Sequence, residues 1–263
     1  MRKPLGGLVS VLLILAITTI SWKSAKIKQE QQGNQKNGFS ARELLQKYIS
    51  NIYESAHLQQ SGLGLDVFDK AVTGFMNLKA GNMVPQTSFI LTVVDLAKSS
   101  HEKRMWIVDL LDKELILNTY AAHGHGSGDD MATSFSNRVD SHQSSLGFYI
   151  TGSVYWGSNG RSLKLDGVDA GFNSNARERA IVVHGADYVG EGTIGALGRL
   201  GRSYGCPAVP SKQAEQVINT IKDKTVMFIN GNDSHYTSKY LDEEQAANYV
   251  FPGKENGNVL AAM

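Results

Sequence analysis

The stretch Ile181–Pro210, IVVHGADYVGEGTIGALGRLGRSYGCPAVP, decides how this chain is read. It holds the protein's single cysteine, Cys206, in Ser203-Tyr204-Gly205-Cys206-Pro207. His184 stands 22 residues earlier, at the end of an apolar run, Ala180 to Val183, that reads as a buried strand. A free thiol with a pKa of about 8.5 is only a few per cent thiolate at neutral pH, so as a nucleophile it needs a base. A histidine on a rigid strand facing a cysteine on a tight turn supplies one. On the cysteine count alone, a buried and inert thiol acting as a small hydrophobe fits equally well.

The N-terminus bears on that choice through the compartment it sets. Met1-Arg2-Lys3 precedes the uncharged apolar run Leu5 to Ile20, the pattern of an export signal. That run of 16 residues is shorter than the roughly 20 that span a bilayer. Residues 1–22 are therefore expected to be a cleaved signal peptide or an uncleaved membrane anchor, which would be the chain's only membrane contact. The polar segment 23–38, without aromatics, reads as a linker. With 26 basic and 25 acidic residues and a net charge of +1, the chain carries no electrostatic footprint for nucleic acid. A lone cysteine in an oxidising compartment has no internal disulfide partner, and an exposed free thiol there is a liability.

The domain should open with a helical hairpin over 39–84. Ser40 and Glu43 have capping-box spacing, with Phe39 and Leu44 placed as a hydrophobic staple. Leu45, Ile49, Ile52 and Tyr53 recur at helical period, and a second helix is expected over Asp66–Lys79. From Ser88 the pattern turns β: Phe89–Val94, Arg104–Leu110, Glu114–Ala121, Ser145–Thr151, Ser162–Leu165 and Ala180–Val183. A helix capped by Ser211 and a final strand, Thr225–Ile229, follow. The expected fold class is α+β, mainly β, with the catalytic domain over 85–232 and a C-terminal tail over 233–263.

The ordered motifs resemble those of the YkuD-type L,D-transpeptidases of peptidoglycan, and most of all the branch described as the murein L,D-transpeptidase catalytic domain family. The resemblance spans about Phe89 to Ile229. It rests on His184-Gly185 and Ser203-Tyr204-Gly205-Cys206, joined by Trp106–Asp109, Tyr120–Ser127, Phe135–Asn137, Ser144–Tyr149 and His184–Tyr188. It implies a YkuD-like β-fold, no cofactor, peptidoglycan stem peptides as substrate, and a periplasmic or cell-envelope location. It also implies acyl transfer through a Cys206 thioester with His184 as base, and a backbone carbonyl near the histidine as its orienting partner. Gly205 permits a sharp turn that leaves the amides of Tyr204, Gly205 and Cys206 to face an oxyanion. The family usually has arginine or asparagine two residues past the cysteine, where this chain has Ala208. A substrate carboxylate clamp is then expected from Arg199 or Arg202. Gly185, Ser203, His123, Asn137 and Ser145 are further candidates for supporting or lining the site.

His123 and His125, followed by Asp129 and Asp130, invite a zinc reading, but no third histidine with ligand spacing completes it. A loop lining the cleft is the expectation there, with no metal. Asp187 is near His184 in sequence but reads equally as a turn residue. Two other classes compete. Papain-like and related cell-wall peptidases run cysteine before histidine, the reverse of this order, and sortases space the pair more widely. A non-catalytic wall-binding module would leave Cys206 inert, and its thiol reactivity discriminates.

Overall fold

The computed structural model describes residues 38–254. The expected signal or anchor and nearly all of the expected linker lie outside the described residues. Helix α1 (Ala41–Ser55) starts at the capping box: the Ser40 side chain accepts from the Glu43 amide, and the Glu43 carboxylate accepts from the Ser40 amide. Phe39 stays half exposed, with the Lys47 ammonium 2.8 Å over its ring. Helix α2 (Leu65–Ala80) follows; α1 buries one apolar face, whereas α2 is buried all round from Ala71 to Lys79.

Eight strands form one mixed sheet: β1 (Ile90–Asp95), β2 (Met105–Asp109), β3 (Glu114–Thr119), β4 (Gly147–Gly157), β5 (Gly160–Gly167), β6 (Val182–Ala186), β7 (Ala208–Pro210) and β8 (Val226–Asn230). Their order is β3-β2-β1-β8-β4-β5-β6-β7, with β1–β8 and β6–β7 parallel and the other pairs antiparallel. The central strands read as continuous apolar runs because both faces are buried. Alternate residues go to opposite sides. Leu91, Val93, Trp106, Phe148 and Phe228 pack with α1 and α2, whereas Val94, Ile107, Tyr149, Met227 and Ile229 pack with Val217 and Ile218 of α4 (Ala214–Ile221).

Gly74 lets α2 approach the sheet closely. A Cβ added there would sit 1.9 Å from the Phe148 ring, which stacks on Phe228 with centroids 4.5 Å apart. The chain beyond β8 carries Tyr240, Ala246 and Ala247 into the same core, the last two on α5 (Glu243–Val250).

Several local readings of the sequence depart from the structure. The helix expected from Ser211 begins as a 3-10 turn over Ser211–Gln213, no side chain caps α4, and α4 ends at Ile221. Strand β6 starts at Val182 rather than Ala180, because Ala180 adopts a left-handed φ of +52°. The glycine run after His184 contains a short helix, α3 (Glu191–Leu197), that glycine's poor helix propensity conceals.

Candidate active site

Strands β6 and β7 bring the two halves of the motif together. His184 lies level with Ala208 in the parallel ladder, so Cys206 precedes the histidine's partner by two residues. Adjacent strands are about 4.8 Å apart and two residues advance about 6.6 Å, a diagonal that two side chains can bridge. Among the described residues no hydrogen bond joins His184 to Cys206 directly.

The cysteine's turn is held from within and from one side. The Gly205 amide donates to Ser203 Oγ at 3.1 Å, and the Ser203 hydroxyl donates to the Cys206 carbonyl at 2.7 Å. Gly205 has φ +119°, and an added Cβ would meet the Gln143 carbonyl at 2.7 Å, so glycine is required twice over. With the Gly205 amide committed, the Tyr204 and Cys206 amides are the ones that make no hydrogen bond among the described residues. Alongside, the Ser203 amide donates to the His123 carbonyl at 2.9 Å and the His125 amide to the Ser203 carbonyl at 2.8 Å. The Gly124 amide donates to Ser144 Oγ at 3.0 Å.

Cys206 Sγ accepts from the Val182 amide at 3.4 Å and donates to the Ala180 carbonyl at 3.7 Å. Burial pushes the thiol's pKa up, opposed by the Val182 amide and the Arg179 charge. His184 is buried, which pushes its pKa down. Its Nδ1 lies 3.0 Å from the Gly185 carbonyl, which can only accept. The neutral ring therefore carries its proton on Nδ1 and leaves Nε2 with a lone pair. Asp187 takes no part in that; it lines a 590 Å³ cleft with Glu191 and Lys212. Gly185 lets β6 pack closely on α4, since a Cβ there would lie 2.8 Å from that of Ala214.

The other candidates divide into those near the turn and those engaged elsewhere. The His123 ring is buried away from the turn, with Nδ1 2.7 Å from Arg104 Nη2. Arg199 and Arg202 both pair with Asp129, at 2.8 and 3.2 Å, and Arg202 also bonds the Gly128 carbonyl. Asn137 ties its loop to the next, donating to Ser174 Oγ and accepting from the Asn175 amide. Ser145 Oγ accepts from Arg179. Among the described residues no three His, Cys, Asp or Glu side chains cluster at metal-binding spacing.

Sequence reasoning named Tyr204 and Ala208 without their surroundings, and it missed Arg179. Tyr204 is 71% exposed and sits between His125 and His142, with ring centroids 5.2 and 4.6 Å away. Arg179 lies against Gly205, its Nη2 3.1 Å from where a Cβ would be. Ala208, two residues past the cysteine where the family usually has arginine or asparagine, is fully buried and pairs with His184 and Ala122, so a charged chain has no room there. Arg179 comes from a charged run, Arg177-Glu178-Arg179, that reads as an ordinary solvated loop.

Residues 59–230 match the family model of the L,D-transpeptidase catalytic domain, and the chain belongs to that family. No curated protein matches it. Solved structures similar to it include the helical cell shape determining protein Pgp2 from Campylobacter jejuni, at 12% identity and a TM-score of 0.39 over 69% of this chain and 63% of that one. An L,D-transpeptidase from Stackebrandtia nassauensis is 13% identical, with a TM-score of 0.33 over 73% and 93% of the two chains. One from Mycobacterium smegmatis is 13% identical, with a TM-score of 0.32 over 54% and 59%. The chain thus spans under two thirds of the length of the first and third of these. Family membership rests on the family match.

Proposed function

We propose that the protein is an exported cysteine acyltransferase that acts on peptidoglycan stem peptides, with Cys206 as nucleophile and His184 as base. The observation that carries this is the Nδ1–Gly185 hydrogen bond, which leaves the His184 Nε2 lone pair free on the strand paired beside the Cys206 turn. Burial raises the thiol's pKa and lowers the imidazole's, so the resting site holds a neutral pair. The proton moves only as the reaction begins.

In acylation Nε2 takes the Sγ proton while sulfur bonds to the carbonyl carbon between an L-centre and a D-residue. The oxyanion faces the Tyr204 and Cys206 amides. Collapse breaks the C–N bond, the imidazolium returns the proton to the leaving amine, and a thioester remains. An acceptor amine then gives a cross-link, or water gives a trimmed stem, with His184 removing the attacking group's proton and returning it to sulfur.

Intact mass of the full chain after incubation with a carbapenem, and separately with tetrapeptide-stem muropeptides, tests this reading. One covalent adduct is expected, slowed in His184→Ala and absent in Cys206→Ala. A folded protein whose Cys206 resists both these and simple alkylating reagents would instead be a wall-binding module with an inert cysteine.

A further inference from the structure

The Arg179 guanidinium is half buried and spends its donors on neutral oxygens. Nη1 donates to the Ser136 carbonyl at 2.6 Å and to Ser145 Oγ, and Nη2 to the Gln143 carbonyl and to Ser141 Oγ at 3.3 Å. Among the described residues it forms no salt bridge with a carboxylate. A half-buried cation without an anionic partner is costly, and such a group is normally paired. The place where it would lie against an anion is the Gly205–Cys206 turn, since Nη2 is 3.1 Å from the position of a Gly205 Cβ.

We propose that Arg179 is the positioning residue of the site: it clamps loop 136–145 against the Gly205–Cys206 turn and supplies the positive charge that stabilises Cys206 once its proton has left. This rests on the acyl-transfer reading. The four hydrogen bonds fix the guanidinium, so its charge needs no reorganisation when sulfur becomes anionic. Among the described residues, the other groups that bond or couple to the thiol are uncharged at neutral pH. The Val182 amide and Ala180 carbonyl come from the segment entering β6. His184 on β6 is held neutral by burial. The Tyr188 phenol, beyond β6, is pushed up to about 12 by burial and by the thiol itself. Among the described residues, Arg179 is the cation whose charge lowers the thiol's pKa.

The experiment is the pH dependence of Cys206 alkylation by iodoacetamide, read by intact mass on the full chain from pH 5.5 to 10. Wild type, Arg179→Gln, Arg179→Met and Arg179→Lys are compared, with circular dichroism as the fold check. The Arg179 charge lowers the thiol's pKa, and an opposite charge within about 4–6 Å does so by about one unit or more as a rule. The neutral variants should therefore raise the alkylation midpoint by about one pH unit. Their rate at pH 7 should fall about three- to fourfold, the more basic thiolate being also the more nucleophilic. Arg179→Lys keeps the charge and should restore the midpoint, a result that a purely structural clamp would not give.

Folded neutral variants with the wild-type midpoint would overturn the proposal. So would loss of fold in both, which would make Arg179 a folding residue. A reactive Cys206 indifferent to Arg179 sinks this inference alone. A wild-type Cys206 inert at every pH sinks the acyl-transfer reading, and this inference with it.

Discussion

Acidification should destabilise the fold through His123, and the structure sets the size of the effect. Arginine only donates hydrogen bonds, so the 2.7 Å contact from Arg104 Nη2 makes His123 Nδ1 the acceptor and puts the ring proton on Nε2. That Nε2 is buried and makes no hydrogen bond of normal geometry among the described residues, and Arg104 is itself fully buried. A second proton would place a cation beside a cation in a dry site. Burial first, then the Arg104 charge, drive the imidazole's pKa down to about 4 from 6.5. A depressed histidine pKa means that the unfolded chain binds the proton more readily, so stability falls as pH drops below 6.5 and the loss is complete below about 4. Between pH 7.5 and 4.5 this one group should cost about 2.5 kcal/mol. Urea unfolding at the two pH values measures it. His123→Asn keeps an oxygen acceptor for Arg104 but does not titrate. It should be less stable at pH 7.5 yet lose about 2.5 kcal/mol less than wild type on acidification. His184 and the other titrating groups are common to both proteins and cancel. Equal losses in the two would refute the tautomer and the neutral ring together.

The remaining expectations concern the turn, the base and the core. Gly205→Ala forces a Cβ into a left-handed backbone 2.7 Å from the Gln143 carbonyl. It should cost about 1–3 kcal/mol in unfolding and, by swinging the turn's amides, slow carbapenem acylation by about 10²-fold or more. Unchanged acylation would show that the turn tolerates the shift. The acid limb of the acylation rate should be centred below pH 6.5, because burial lowers the His184 pKa and the base must be neutral; an acid limb centred above 6.5 would contradict that environment. Gly74→Ala places a methyl 1.9 Å from the Phe148 ring. It should destabilise by about 1–3 kcal/mol despite alanine's better helix propensity, and Phe148→Leu should recover part of the loss in thermal melts.

What could be read from the sequence was what is written locally. The capping box needs only Ser40 and Glu43 three residues apart, and the structure forms it with both reciprocal bonds. The buried strands announced themselves because ILTVVD, MWIVD and VMFIN are apolar on both faces. Their order did not. The parallel pairing of β1 with β8, which lie more than 130 residues apart in sequence, leaves no trace in either strand. Glycine 205 was legible for the same local reason, since a turn of that hand tolerates little else.

The arginines are the instructive failure. Arg199 and Arg202 stand closest to Cys206 in sequence, yet each meets Asp129 instead. Proximity along the chain ranked them first, and the fold reverses the ranking. The chain between Val168 and Ala180 folds back over loop 136–145 and is fastened there by Asn137 bonding Ser174 and Asn175. A left-handed Ala180 then turns it into β6. That course delivers Arg179 to the side of Gly205 and the Ala180 carbonyl to the thiol in one stroke. The same loop therefore carries a cation and an acceptor for one sulfur atom. Asn137→Ala, which loosens the loop without touching either arginine or cysteine, should move the alkylation midpoint in the same direction as neutralising Arg179, but by less.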